Sequence, residues 1–297
     1  MYPAPFHYHR AKTVDEAVGL LSGIGEGARV LAGGQSLLAI LKLRFDEPTD
    51  LVDICRIANL DQIDDAGEVI NIGALATHNR IGASAIAEAI PIIADCANGI
   101  ADNQVRNLGT IGGSVASGDP SCDWPTLLHT LDGEILCQGP DGTRTLDING
   151  FVEDLYQTAL KPAEIITGLR FKKPAAGSGG AYCTFKRCAP AYPTIAVGVQ
   201  LTISDGQVDS SRIALGSAGL TPIRASAAEA ELTGGSLGAD EINKAAEAAV
   251  AAADPYDDRR GSVEFKRQLI ATLTKRAIAI AQRRAGGETV KNSPEYY

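Results

Sequence analysis

Two glycine pairs, Gly33-Gly34 and Gly112-Gly113, constrain this chain more than any other feature of its sequence. Each follows an apolar residue and precedes an amide or hydroxyl side chain, Gln35-Ser36 in one case and Ser114 in the other. Glycine lets the backbone come close to a ligand and adopt conformations closed to other residues. Successive N–H groups in such a loop form an anion-binding nest, and the start of a helix adds a partial positive charge. Two such loops folded together hold both halves of a pyrophosphate without any lysine. Either pair alone is a weak signal and reads first as a structural turn.

No other nucleotide-binding pattern competes with them. The chain contains no G-x-x-x-x-G-K-S/T, which excludes a P-loop nucleotidase. Gly23-Ile24-Gly25-Glu26-Gly27 imitates a dinucleotide fingerprint but follows a predicted helix instead of a strand, so it reads as an ordinary loop. A formal net charge of -9 over 297 residues argues against a nucleic-acid surface, which needs clustered Lys and Arg. The one basic cluster, Lys275-Arg276 with Arg283-Arg284, is expected on the solvated face of a helix. The cysteines Cys55, Cys96, Cys122, Cys137, Cys183 and Cys188 never form C-x-x-C. They read as small buried hydrophobes and not as a zinc or iron–sulfur site. No apolar run is long enough for a membrane span and the N-terminus lacks a leader pattern, which predicts a cytoplasmic protein. No Ser-His-Asp, Cys-His or metal-ligand constellation is present, so neither a catalytic side chain nor a metal site is expected.

Periodicity divides the chain into three segments and an α+β arrangement. In residues 1–57, Thr13-x-x-Glu16 predicts a capping box opening a helix that Gly23 and Gly25 end. Strands are predicted at 29–32 and 49–54, with a helical turn at 36–41. In residues 58–176, strands are predicted at 68–73 and 164–171. A hairpin, 134–137 with 143–146, turns at Asp141-Gly142. Residues 85–99 read as one helix despite Pro91, and 109–114 as a second glycine loop. Pro174 to Gly180 is the linker candidate. Beyond it, strands at 181–187, 195–204 and 212–216 precede helices at 240–253 and 263–285.

The motifs together resemble a known family. Ala32-Gly33-Gly34-Gln35-Ser36-Leu37 and Gln104-Val105-Arg106-Asn107-Leu108-Gly109-Thr110-Ile111-Gly112-Gly113-Ser114 are similar to the glycine loops of the FAD-binding subunits of molybdenum hydroxylases. That family includes the carbon monoxide dehydrogenase medium subunit and the xanthine dehydrogenase flavin domain. The resemblance continues through Asp119-Pro120-Ser121-Cys122-Asp123, Phe185-Lys186-Arg187 and Tyr192-Pro193-Thr194-Ile195-Ala196.

The resemblance implies a vanillyl-alcohol oxidase/p-cresol methylhydroxylase-type FAD-binding fold. Two α/β subdomains, about 1–57 and 58–176, form an FAD-binding domain over 1–176, and a C-terminal domain of antiparallel sheet and helices spans 177–297. It assigns cofactor contacts to Ala32, Gly33, Gly34, Gln35, Ser36, Leu37, Thr110, Ile111, Gly112, Gly113 and Ser114. Asp123 is implied as acceptor for cofactor hydroxyls, Ile166 and Lys186 as neighbours of the flavin ring, and Tyr192 as a residue that stacks on it or controls access. On their own residues, Asp123 has a loop cap as its lesser alternative, and Lys186 reads equally as an exposed strand lysine. Arg106 and Asn107 are expected to brace the second loop. Gln35 has no imidazole and no histidine lies in a glycine loop, so the FAD is expected to be non-covalent.

The resemblance further implies partners: a large subunit with the molybdenum cofactor and a small subunit with [2Fe–2S] clusters, assembled as a dimer of heterotrimers. The implied activity is electron transfer from the iron–sulfur subunit to an external acceptor. Alternatives are a self-sufficient flavin reductase, such as UDP-N-acetylenolpyruvoylglucosamine reductase, and a flavin-free assembly subunit. The first needs an acid over the flavin, for which the sequence offers no clear candidate. The second is disfavoured by the intact glycines.

Overall fold

The computed structural model describes residues 2–296. Its first unit is a small parallel sheet in the order β1-β3-β2, built from β1 (His7–Arg10), β2 (Ala28–Leu31) and β3 (Asp50–Asp53). Parallel neighbours need crossovers. They are supplied by α1 (Val14–Ile24) and α2 (Leu37–Leu43). Thr13 caps α1 by accepting the Glu16 N–H at 3.1 Å, and Gly25, with φ 78, ends it. The reciprocal arm of the expected capping box is displaced by one residue. Glu16 Oε2 accepts the N–H of Lys12, at 2.7 Å, instead of that of Thr13.

The second unit is an antiparallel sheet in the order β4-β5-β10-β6-β7: β4 (Ile63–Asp65), β5 (Val69–Gly73), β6 (Glu134–Gly139), β7 (Gly142–Asp147) and β10 (Ile165–Lys172). A short pair, β8 (Val152–Asp154) and β9 (Gln157–Thr158), stands apart. Between β5 and β6 the chain makes α3 (His78–Gly82), α4 (Ala85–Ala89), α5 (Pro91–Gly99), α6 (Asn103–Leu108), α7 (Ile111–Ala116) and α8 (Asp123–Thr130). Their buried side chains, Trp124 and Ile92 among them, pack with Ile70, Ile135 and Leu169 of the sheet in one core. The single helix expected over 85–99 is two. Pro91 lacks an N–H and occupies the first position of α5, so the chain breaks at Ile90. The second glycine loop is also helical: Thr110 caps α7, which contains Gly112 and Gly113.

The third unit is a sheet in the order β14-β13-β12-β11-β15: β11 (Ser178–Lys186), β12 (Ile195–Ser204), β13 (Gln207–Gly216), β14 (Ile223–Arg224) and β15 (Glu295–Tyr296). It is covered by α9 (Ser226–Leu232), α10 (Ala239–Ala252) and α11 (Val263–Ala285). Gly179 and Gly180, expected in a linker, belong to β11. A Cβ on Gly179 would lie 2.1 Å from Ala281 O, so glycine lets α11 lie flat on the strand.

Arg284 also departs from expectation. It is buried and ion-paired with Asp95 of α5, not solvated. Four cysteines are buried as expected, whereas Cys55 and Cys188 are exposed. Among the described residues, no helix is long and apolar enough to cross a membrane.

Candidate functional site

The two glycine segments meet backbone to backbone. A Cβ on Gly33 would fall 2.0 Å from Leu108 O and 2.9 Å from Gly109 Cα, so only glycine permits this contact. Gly34 has φ 70, in the left-handed region that favours glycine. Among the described residues, the backbone N–H groups of Gly33, Gly34, Gln35 and Ser36 have no recorded protein acceptor. The Gln35 amide donates back to Gly33 O at 3.1 Å. This stretch is therefore an open row of donors on a partly exposed turn.

The second segment contributes differently from the expectation of two matching nests. Ile111 and Gly112 donate to Ala76 O and Ala74 O at 3.0 and 2.9 Å, which docks α7 on the strand end after β5. Gly113 and Ser114 donate to Thr110 Oγ1 and O at 3.2 and 3.0 Å. These N–H groups are already satisfied. Gly112 is glycine because a Cβ would lie 2.6 Å from the Ala74 Cβ, whereas Gly113 is exposed and meets only Thr110 Oγ1.

Arg106 braces the approach to this segment as expected. It donates to Ile100 O and Ala101 O at 2.6 and 3.0 Å and to Asn103 Oδ1 at 2.6 Å. Asn107 Oδ1 accepts from Asn79.

Three other expected residues are buried: Asp123 and Lys186 near each other, and Ile166 in β10. Asp123 opens α8, is 5% exposed, and caps no helix. Its carboxylate accepts from the Tyr182 hydroxyl at 3.2 Å. Burial pushes its pKa up, while Lys186 and the Tyr182 hydroxyl work the other way. Lys186 is not an exposed strand lysine: it is 1% exposed and its Nζ donates to Gly99 O at the C-terminus of α5. A cation there is favoured by the helix dipole. Ile166 is buried in β10 at a bulge opposite β6.

Tyr192 lies on the β11–β12 connection, 42% exposed, with Arg260 5.7 Å from its ring centroid. Burial of its phenol, with Cys122 and Asp119 nearby, raises its pKa, and the adjacent Ser36 hydroxyl opposes the rise. Ser36 of the first unit, Asp119 of the second and Tyr192 of the third thus converge at one place.

Residues 4–173 match the family described as the FAD binding domain in molybdopterin dehydrogenase, and residues 180–281 match the CO dehydrogenase flavoprotein C-terminal domain. The chain belongs to the FAD-binding medium subunits of molybdenum hydroxylases. It is 38% identical over 286 residues to the carbon monoxide dehydrogenase medium chain of Afipia carboxidovorans, covering 96% of this chain and 99% of that one. The 6-hydroxypseudooxynicotine dehydrogenase complex subunit alpha of Paenarthrobacter nicotinovorans is 34% identical, covering 96% and 97%. A solved carbon monoxide dehydrogenase of Hydrogenophaga pseudoflava superposes with a TM-score of 0.93 at 41% identity, covering 96% of this chain and 99% of that one.

The residues present fit the cofactor of this FAD-binding family. Unpaired N–H groups at Gly33 to Ser36 suit a pyrophosphate, and an ionisable carboxylate at Asp123 suits an acceptor of hydroxyl protons. Sequence reasoning misses three residues of this neighbourhood. Tyr182 holds Asp123, Arg260 holds Tyr192, and His78 accepts the Trp124 indole N–H at 2.9 Å behind Gly109. None carries a local motif, because each acts on a partner far away in sequence.

Proposed function

We propose that this chain holds FAD non-covalently in the cleft framed by Ala32–Leu37, Thr110–Ser114 and Tyr192, and relays electrons from a [2Fe–2S] subunit to an external acceptor. The observation that carries this reading is the backbone contact between Gly33 and Leu108, which makes one cradle of two segments distant in sequence. In it the N–H groups from Gly33 to Ser36 bind the pyrophosphate, and Gly113 leaves room for it. Asp123 accepts from cofactor hydroxyls, held in place by Tyr182. Lys186 and Ile166 face the ring end from β11 and β10, and Tyr192 covers the entrance. The flavin, when bound, supplies the capacity to take up electrons singly and release them singly or in pairs. The protein's part is to orient it and exclude water.

Non-covalent attachment follows from Gln35, which lacks a nucleophilic ring nitrogen, and from the burial of His78 and His129 in the second unit. The FAD-binding part is taken as 1–176 and the C-terminal part as 177–297. We place the chain in the cytoplasm, in a dimer of heterotrimers with a large molybdenum-cofactor subunit and a small [2Fe–2S] subunit. Relatives of similar identity are named for carbon monoxide and for 6-hydroxypseudooxynicotine, so substrate choice belongs to the large subunit.

The test is an absorption spectrum of the purified chain, followed by acid precipitation. Flavin bands with FAD released into the supernatant are expected. A colourless chain that takes up no added FAD would overturn the reading, and FAD retained in the pellet would overturn its non-covalent attachment.

A further inference from the structure

The C-terminal unit reaches the rim of the candidate cleft through the side chain of Arg260. Its guanidinium lies 5.7 Å from the Tyr192 ring centroid, and Nη1 donates to Ser121 Oγ at 2.7 Å and to Pro193 O at 3.4 Å. Ser121 precedes α8, whereas Tyr192 and Pro193 lie between β11 and β12, so one cation ties together two loops that border the glycine cradle.

Arg260 is itself anchored. Its backbone N–H donates to Asp258 Oδ1 at 2.8 Å, and Asp258 pairs with Lys266 Nζ at 3.0 Å. Lys266 is 2% exposed on α11, donates to Tyr256 O at 2.6 Å and lies 4.7 Å from the Tyr256 ring centroid. The backbone that carries the guanidinium is therefore anchored, through Asp258, to a buried charge on a long helix. A half-exposed tyrosine on a loop of turns has several rotamers open to it. A planar cation near its ring, fixed by a serine and a carbonyl, selects one.

We infer that Arg260 is a positioning residue that fixes Tyr192 at the mouth of the flavin cradle and so limits the access of external electron acceptors to the flavin. The inference rests on the reading above that the cradle holds FAD.

It is tested on the FAD-loaded full chain with Arg260→Ala, Arg260→Lys, Ser121→Ala, Tyr192→Ala and the Arg260→Ala/Tyr192→Ala double variant. FAD content and flavin fluorescence are measured first. The dithionite-reduced protein is then mixed with a water-soluble quinone, and re-oxidation is followed. Arg260→Ala is expected to keep its FAD, to fluoresce more strongly, and to be re-oxidised about fivefold faster at low quinone, the scale of a lost cation–π contact. Arg260→Lys restores part of the protection, and Ser121→Ala shifts both readouts in the same direction as Arg260→Ala. In the Tyr192→Ala background, Arg260→Ala adds nothing, because its effect acts through that ring.

Unchanged fluorescence and re-oxidation in FAD-replete Arg260→Ala and Ser121→Ala would overturn the inference and leave the flavin reading standing. Should Arg260→Ala fail to fold, Ser121→Ala and Arg260→Lys decide the matter by the same readouts. An unsubstituted chain that binds no FAD overturns the flavin reading itself, and this inference with it.

Discussion

Arg284 grips Asp95 with both terminal nitrogens, Nη1 to Oδ2 at 2.6 Å and Nη2 to Oδ1 at 3.0 Å, and each side chain is only 5% exposed. Arg284 lies in the last turn of α11 in the third unit, and Asp95 lies in α5 of the second. Removing one partner of a buried pair strands the other charge, at a cost of about 3–5 kcal/mol. Arg284→Met is therefore expected to lower the thermal midpoint strongly. The Arg284→Met/Asp95→Leu pair should recover most of that loss. Differential scanning calorimetry of the three proteins checks this, and a single variant as stable as the parent would show that the pair does not hold the units together.

Gly33 and Gly113 separate the structural from the ligand-facing role of glycine. Gly33→Ala drives a Cβ into Leu108 O, which is backbone and cannot yield cheaply. Overpacking of this kind costs about 1–3 kcal/mol, so apo stability and FAD affinity both fall. A Cβ on Gly113 meets only Thr110 Oγ1, at 3.0 Å. Gly113→Ala is expected to leave apo stability almost unchanged while weakening FAD binding. Gly19→Ala, in open space on α1, serves as a control and should stabilise by about 0.5–1 kcal/mol. Urea unfolding and FAD titration of the three variants separate these outcomes, and equal FAD affinity in Gly113→Ala and the parent would move the cofactor elsewhere.

Legibility of the fold follows the range of the interactions. Helix α11 is readable over its whole length because Leu269, Leu273, Ala277 and Ile280 recur on one buried face. The β6–β7 hairpin is readable because its turn is local, although the turn residues are Pro140-Asp141, and Gly142, expected in the turn, already pairs with Gly139 as the first residue of β7. Helix α7 is not, since glycine is a poor helix former and its start is held by Ala74 O and Ala76 O of a distant segment. The glycine pairs announce a cradle, but whether their N–H groups are open depends on those same long-range acceptors. Tyr182 and Arg260 are silent for the same reason. Their partners Asp123 and Ser121 lie 59 and 139 residues away.

Asp123 illustrates a conflict between stability and binding. Burial raises its pKa above the ordinary 3.8, and the attraction of Lys186 offsets only part of the shift. The folded state therefore binds the proton more tightly than the unfolded state does. Stability from this group is largest at acid pH and is lost as pH rises through the folded pKa. At neutral pH, Asp123→Asn should stabilise the apo chain, because the amide keeps an acceptor for Tyr182 without the charge. FAD affinity should fall about tenfold, the scale of losing a hydrogen bond to a charged acceptor. Thermal melts with and without FAD check both signs. A variant that is less stable in both forms would assign Asp123 a structural role.

His78 is expected to set an acid limit to the stability of the second unit. Its Nδ1 accepts from Trp124 Nε1 at 2.9 Å, which leaves the ring proton on Nε2. Burial, with a smaller contribution from Arg106, lowers its pKa from 6.5 to about 4. Between those values the unfolded chain takes up a proton that the folded chain refuses. The stabilisation is thus complete above the unfolded value and drains away as pH falls through the folded one. A shift of that size amounts to about 3 kcal/mol. Urea midpoints of the apo chain at about pH 7.5 and about pH 4.5 should differ markedly in the parent and less in His78→Gln, which cannot titrate. If the variant loses as much stability on acidification as the parent, the acid limit lies with other groups and His78 is only a packing residue.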